Sequence, residues 1–254
     1  DPDPDKSFAE RQRLFDLPRS SWADYDKNLI SQGGGIFERS AKSIALSPEI
    51  RARLDITAEH LTPAELIQAI LKAPVDLLFF GGIGTFIKAT SETHADAGDK
   101  SNDALRINGN DVHAKVVGEG ANLGVTQKGR IEYAMKGGRI DTDAIDNSAG
   151  VSTSDHEVNL KILFNGAVAS GRITLDERNK LLQQMTGEVA AHVLQDNYLQ
   201  GLALSLAESE GAERIDSEAR LIRDLERAGR LDRAIEFLPS DETLASRAQA
   251  HQPL

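Results

Sequence analysis

Apolar residues fall in two different patterns along the chain. In residues 1–155 they form short runs separated by glycine-rich joints; in residues 156–254 they recur every three or four positions. The run "VDLLFF" (75–80) has strand length and sits between Pro74 and Gly81-Gly82. Such a run predicts a strand buried on both faces. "HAKVVGEG" (113–120) predicts a second buried strand, and "RIDTDAIDNS" (139–148) a short third strand region.

Helices are predicted between these runs. Residues 7–15 read as a short helix, and the glycine-dense "SQGGGIFERS" (31–40) as a joint. Ser47-Pro48-Glu49 and Thr62-Pro63-Ala64-Glu65 both place a hydroxyl at the cap and proline at the first helical position. The second of these helices runs from Pro63 to about Leu71. Residues 96–109 read as a helix ending near Gly109, and residues 126–135 as another. Strands alternating with helices argue for an α/β fold with a parallel sheet, whose ligand lies at the carboxyl ends of the strands.

Residues 156–254 read as a mainly helical region. Ser154 with Glu157, and Thr174 with Glu177, have the spacing of capping boxes. Leu182, Met185, Val189 and Val193 share one stripe, and Leu221, Leu225 and Ala228 another; both predict core-facing surfaces. Gly229 is placed to end a helix, and Ser240 to start one.

Composition narrows the function classes. The net charge of −11 over 254 residues argues against a nucleic-acid binder or an anionic-membrane binder. No apolar run approaches the roughly 20 residues of a membrane helix. The lack of cysteine removes disulfides, thiolate metal sites and cysteine nucleophiles, and fits a reducing compartment. Asp155-His156-Glu157 is no metal site, because consecutive helical residues diverge by about 100°. The chain opens on "DPDPDK" with neither an initiator Met nor a signal-peptide pattern, so it reads as a segment of a longer chain.

Gly118-x-Gly120-x-x-x-Gly124 follows the second strand, and Asp141 lies about where a ribose-binding acid would stand. That spacing suits a pyrophosphate loop. Glu119 argues against it, since a carboxylate there repels phosphate. So does Thr126, which starts the next helix too late to aim its N–H groups at the loop. Glu119 reads better as an acceptor for neighbouring backbone N–H groups. Gly118, Gly120 and Gly150 read as positions of close backbone approach or positive φ. Lys88 and Lys115, the lysines nearest these motifs, read as solvated or edge residues.

"AKVVGEGANLGVT" (114–126) and "AIDNSAGVSTSDHEV" (144–158), with "SSWADYDKNLISQGGGIFERSAKSIALSPE" (20–49) and "DLLFFGGIGTFIKA" (76–89), carry a resemblance across nearly the whole chain. Together they resemble the carboxyl-side half of the nucleotide domain of amino-acid dehydrogenases, and within them the large bacterial NAD-specific glutamate dehydrogenases. The resemblance implies a partial Rossmann-like parallel sheet in residues 1–155, the carboxyl-side part of an NAD-binding domain. A helical C-terminal region follows in residues 156–254. It implies a cytoplasmic, homo-oligomeric enzyme that converts L-glutamate to 2-oxoglutarate and ammonia with NAD.

Site roles follow from the same resemblance. Glu119-Gly120-Ala121-Asn122 matches a strand-end motif beside the nicotinamide and the substrate. Asn147-Ser148-Ala149-Gly150-Val151 matches Asn-Ala-Gly-Gly-Val, with Ser for Ala and Ala for Gly. Gly120, Asn122 and Asn147 are thereby implied in cofactor binding, and Asn122, Asn147, Val151 and Ser154 in substrate binding. An asparagine amide suits such a place because it donates and accepts at once. Gly81 and Gly82 stand where smaller relatives carry Pro-Ala-Ala, and are assigned to the cofactor side. The catalytic lysine and aspartate, and the pyrophosphate loop, are implied upstream of residue 1, so the isolated chain is expected to be inactive. Two other classes stay open: a non-catalytic regulatory or assembly module, and an unrelated nucleotide-binding module using the Gly118–Gly124 loop.

Overall fold

The protein is described by a computed structural model over residues 3–254; Asp1 and Pro2, at the opening without Met, lie outside the described residues. Helices begin where side-chain oxygens accept the free N–H groups of a first turn. Asp3 caps α1 (Pro4–Asp16), and Ser47 caps α2 (Pro48–Leu54). Thr62 caps α3 (Pro63–Leu71) in a reciprocal box with Glu65, and Thr126 caps α4 (Gln127–Met135). Two short strands, β1 (Ile44–Ala45) and β2 (His60–Leu61), pair antiparallel beside α2 and α3.

The central sheet is parallel, as the alternation of strands and helices predicts. It comprises β3 (Leu77–Phe79), β6 (Val116–Gly118) and β7 (Arg139–Ile140), in the order β3-β6-β7. Register aligns Leu78 with Val117 and Val117 with Ile140. That row meets the core of Leu71, Phe80, Ile87, Ile107, Val125 and Tyr133. The alternate row does not: Leu77 is 55%, Phe79 60% and Val116 38% exposed. The strands are therefore buried on one face, not both. Helices α3 and α4, with the parallel pair β4 (Ile87–Lys88) and β5 (Ile107–Asn108), cover only the Val117 side. On the other side, the long helix α7 (Leu175–Glu210) stands across a cleft of about 920 Å³.

Two further expectations change. The third strand is only Arg139–Ile140; α5 (Asp143–Asp146) follows as a single helical turn. The helix expected over residues 96–109 is a loop with a 3-10 turn at Lys100–Asn102 that leads into β5. Short polar side chains compete with helical backbone bonds there. Asp99 accepts from Ser101 Oγ and Asn102 Nδ2, each at 2.6 Å, and from Thr85 N at 2.9 Å. These donors hold its carboxyl well below the usual carboxylate range. The Arg106 side chain, 0% exposed, donates to the Thr85 carbonyl at 2.8 Å and to Asp103 at 2.7 Å.

The remaining chain is helical: α6 (Ser152–Ala169), α7, α8 (Ile215–Arg227) and α9 (Asp241–Gln249). No helix among the described residues is long and apolar enough to cross a membrane. Thr174 and Glu177 form their capping box, Ser240 caps α9, and Gly229 follows α8 with φ +66°. On α7, Val193 is buried, and Leu182 and Val189 line a groove shared with α6. The α8 stripe is corrected. Ile215, Ala219 and Ile222 face inward onto Leu244 of α9, while Leu221 is 58% exposed and Ala228 is exposed. Leu221 and Ile222 diverge by about 100° around the helix, so docking of α9 on Ile222 turns Leu221 outward.

The N-terminal helix is tied down by Glu10, which is 4% exposed. Its carboxylate takes two bonds from Arg13 and one from Asp26 N at 2.7 Å. Arg13 first, then the Asp26 N–H, bring its pKa from 4.5 down to about 2. A depressed carboxyl pKa stabilises the folded state fully above pH 4.5, and that contribution is lost as pH falls through about 2. The single tryptophan, Trp22, lies beside α1 with Arg11 over its ring at 6.0 Å. Its fluorescence should therefore change over this acid window, and Glu10→Gln should remove the transition.

Candidate functional site

The parallel register brings three strand ends to one edge. Gly81-Gly82 follow β3, Glu119-Gly120-Ala121-Asn122 follow β6, and Asp141 follows β7. Glu119 is 0% exposed and fills the turn that its own loop makes. It accepts Arg130 Nε at 2.5 Å, Arg130 Nη2 at 3.0 Å and the Val125 N–H at 3.1 Å. Burial pushes its carboxyl upward, and the Arg130 guanidinium draws it back. This is the structural role that the sequence reading assigns to Glu119. It also removes the phosphate reading of the loop: Val125 gives its N–H to a carboxylate, and Thr126 occupies the helix start by accepting from Gly129 N at 3.0 Å.

The glycines act by close approach, not by positive φ. A Cβ on Gly120 would stand 2.2 Å from Phe79 Cζ and 2.8 Å from the Phe80 carbonyl. One on Gly150 would stand 2.8 Å from Asn147 Oδ1. The left-handed residue of the loop is Leu123, at φ +55°. Two bonds hold it there: its N–H donates to Asp143 at 2.8 Å, and its carbonyl accepts Thr85 Oγ1 at 2.7 Å.

Asn122 and Asn147 come together. Asn147 Nδ2 donates to Asn122 Oδ1 at 2.5 Å, and Asn122 is exposed. Val151 follows on the same turn, its N–H bonded to the Asn147 carbonyl at 2.9 Å. Ser148, next to Asn147, accepts from Asn197 Nδ2 of α7 at 2.9 Å. Among the described residues no hydrogen bond joins Gly81, Gly82 or the Ser154 side chain to either asparagine. Gly81 and Gly82 are exposed beside the Gly118–Gly120 segment.

Two readings near the site are corrected. Ser154 is not a helix cap: α6 begins at Ser152 with Val151 in the cap position, and no side chain caps it. Asn147 and Ser148 start the turn early by accepting the Val151 and Thr153 N–H groups, which places Ser154 inside the first turn with its side chain exposed. Lys88 is not solvated. It is 9% exposed on β4, and its Nζ donates to Asn108 Oδ1 at 2.7 Å and the Ala89 carbonyl at 3.1 Å. Close contact of α4 buries it: a Cβ on Gly129 would come within 3.1 Å of the Lys88 backbone. Lys115 is exposed and pairs with Asp76 at 2.7 Å.

Arg130, Asp143 and Asp146 escaped the sequence reading. A signal for Arg130 was available, since an acid enclosed by apolar strand and loop residues calls for a cation on the next helix. Asp143 and Asp146 gave none, because one helical turn of acids reads as solvated. Asp146 accepts the Glu119 N–H at 2.9 Å. Its charge also raises the Asp141 carboxyl, which burial already pushes upward.

A sequence model described as the catalytic domain of bacterial NAD-glutamate dehydrogenase matches residues 1–207. The chain belongs to the bacterial NAD-glutamate dehydrogenase family. Among relatives of this family, the NAD-specific glutamate dehydrogenase of Pseudomonas aeruginosa is 61% identical over 256 residues, covering 100% of the chain and 16% of the relative. That of Halomonas elongata is 56% identical, covering 99% and 16%. That of Mycobacterium tuberculosis is 52% identical, covering 98% and 16%. The chain thus spans about one sixth of these glutamate dehydrogenases.

Proposed function

We propose that this chain forms the nicotinamide- and substrate-facing wall of an NAD-dependent glutamate dehydrogenase that oxidises L-glutamate to 2-oxoglutarate and ammonia. The observation that carries the reading is the Asn122–Asn147 pair, held at the carboxyl ends of a parallel sheet in a chain of this family. NAD, when bound, accepts the hydride from the substrate Cα. The residues of this chain bind and orient. Asn122 offers an exposed amide beside Gly120, where the lack of a Cβ leaves the strand end open. Asn147 orients that amide by donating to it. The first turn of α6, with no side-chain cap, offers N–H groups and the Ser154 hydroxyl to a substrate carboxylate, and Val151 an apolar contact. Gly81 and Gly82 leave the neighbouring strand end bare for the cofactor.

In this reading residues 1–155 are the carboxyl-side part of the NAD-binding domain and residues 156–254 its helical C-terminal region. The remaining polypeptide supplies the acid–base groups and the pyrophosphate loop, so the isolated chain shows no turnover. In the full-length enzyme, Asn122→Ala and Asn147→Ala are each expected to lower kcat/KM for glutamate oxidation by about 10- to 100-fold, the loss of one or two oriented hydrogen bonds. NADH formation under steady-state conditions measures this. Wild-type kcat and KM in both variants would end the reading.

A further inference from the structure

The two asparagine-bearing segments are joined by few bonds. Among the described residues, three hydrogen bonds cross between residues 119–125 and 141–147: Glu119 N to Asp146, Leu123 N to Asp143, and Asn147 to Asn122. Asp143 lies at one end of α5 and Asp146 at the other, so the single helical turn is fastened at both ends to the β6 loop. The first segment is seated in the apolar core at Val125, whereas the second contributes no residue to that core. Arg130 ties the second to the first. One guanidinium forks onto Glu119 at 2.5 and 3.0 Å and reaches Asp143 at 3.3 Å. Its side chain is 10% exposed, against 0% for Glu119 and 18% for Asp143. Its helix is fixed in turn: Tyr133, 2% exposed, donates to the Ala114 carbonyl at 2.7 Å, and Gly129 lies against the Lys88 backbone.

We propose that Arg130 is a positioning residue for glutamate oxidation, acting through Glu119 and Asp143 to set the spacing and orientation of Asn122 and Asn147. This rests on the reading of those asparagines given above. The planar fork is what the task needs. Only a guanidinium can bond both oxygens of Glu119 while a second edge meets Asp143; an ammonium is a point charge that satisfies one partner well. The link to Asn122 runs through Asp143 and Leu123. Asp143 is one of the two partners that hold Leu123 in its unfavourable left-handed conformation, the other being Thr85. Release of Asp143 leaves Leu123 held by its carbonyl alone, so its N–H side relaxes and turns the amide of its neighbour Asn122 away. Arg130 touches neither asparagine, so it acts on the reaction through them.

The test is a double-mutant cycle in the full-length enzyme, with Arg130→Lys and Asn122→Ala alone and combined. Arg130→Lys is expected to lower kcat/KM for glutamate with NAD by about 10- to 100-fold, the scale of a misplaced binding group. In the Asn122→Ala background the same substitution is expected to cost less than about threefold, because the group it positions is gone. A purely structural arginine gives the same fold-loss in both backgrounds, and that result overturns the proposal, as does wild-type kcat/KM for Arg130→Lys. Should Arg130→Lys fail to accumulate, Asp143→Asn reads the same coupling, since it keeps an acceptor for Leu123 and loses the charge for Arg130. If Asn122→Ala alone has wild-type kcat/KM, the site reading itself falls and the proposal with it. An impaired Asn122→Ala with additive Arg130→Lys removes the proposal only.

Discussion

Replacing Glu119 with alanine is expected to destabilise the fold around the β6 loop by about 3–5 kcal/mol, the range for breaking a buried ion pair from one side. The substitution strands the Arg130 guanidinium, 10% exposed, with only the partly exposed Asp143 as a counter-charge. It also leaves the buried Val125 N–H without its acceptor. Hydrogen exchange in the full-length protein checks this: the amides of Val125 and of α4 should lose protection. Glu119→Gln should cost less, about 1–3 kcal/mol, because an amide oxygen still accepts from Val125 and Arg130. Pairing Glu119→Ala with Arg130→Met should recover part of the loss, since it removes the stranded buried charge while the Val125 N–H still lacks its acceptor. Equal exchange in Glu119→Ala and the unaltered protein would refute the assignment of the pair as the loop's internal support.

Arg106→Ala should be nearly as damaging, at about 3 kcal/mol. Its fully buried side chain bonds the Thr85 carbonyl, the Asp99 carbonyl, Asp103 and the His94 ring. Removal leaves the Thr85 and Asp99 carbonyls without these partners and opens a void the length of an arginine beneath residues 94–103. The damage travels toward the site. Thr85 gives its N–H to Asp99 and its hydroxyl to the carbonyl of Leu123, the residue after Asn122. Limited proteolysis should therefore find new cleavage between residues 91 and 103. Arg106→Lys should not rescue, because one ammonium cannot serve acceptors on both sides of the loop. Unchanged proteolysis in Arg106→Ala would show that Asp99 alone organises the segment.

These two arginines also mark where the sequence could be read and where it could not. Caps were legible. Ser47, Thr62, Thr126, Thr174 and Ser240 stand at helix starts in the structure because capping is local: one side chain meets a backbone N–H two or three residues on. The parallel sheet was legible from apolar runs, which report burial of at least one face. The expected helix over residues 96–109 failed because the partner that organises Asp99 and Arg106 is Thr85, outside any local window. Ser154 failed for the opposite reason: its local spacing with Glu157 was right for a cap, but Asn147 and Ser148 had already started the turn. Lys88 was misplaced because nothing in its neighbours tells that Gly129 lets α4 settle onto its backbone.

By itself the sequence determined the α/β class, the family to which the chain belongs, the helix starts at Ser47, Thr62, Thr126, Thr174 and Ser240, and the two asparagine motifs. Each depends on residue order, on apolar period or on contacts within a few residues. Only the tertiary structure decided that Asn122 and Asn147, 25 residues apart, share one hydrogen bond, and that the sheet is open on its Leu77–Phe79 face. It alone brought Arg130 under both asparagine loops. Those outcomes depend on which carboxylate is enclosed with which cation once parallel strands align their ends. That choice is made by burial, where an unpaired charge is too costly to persist.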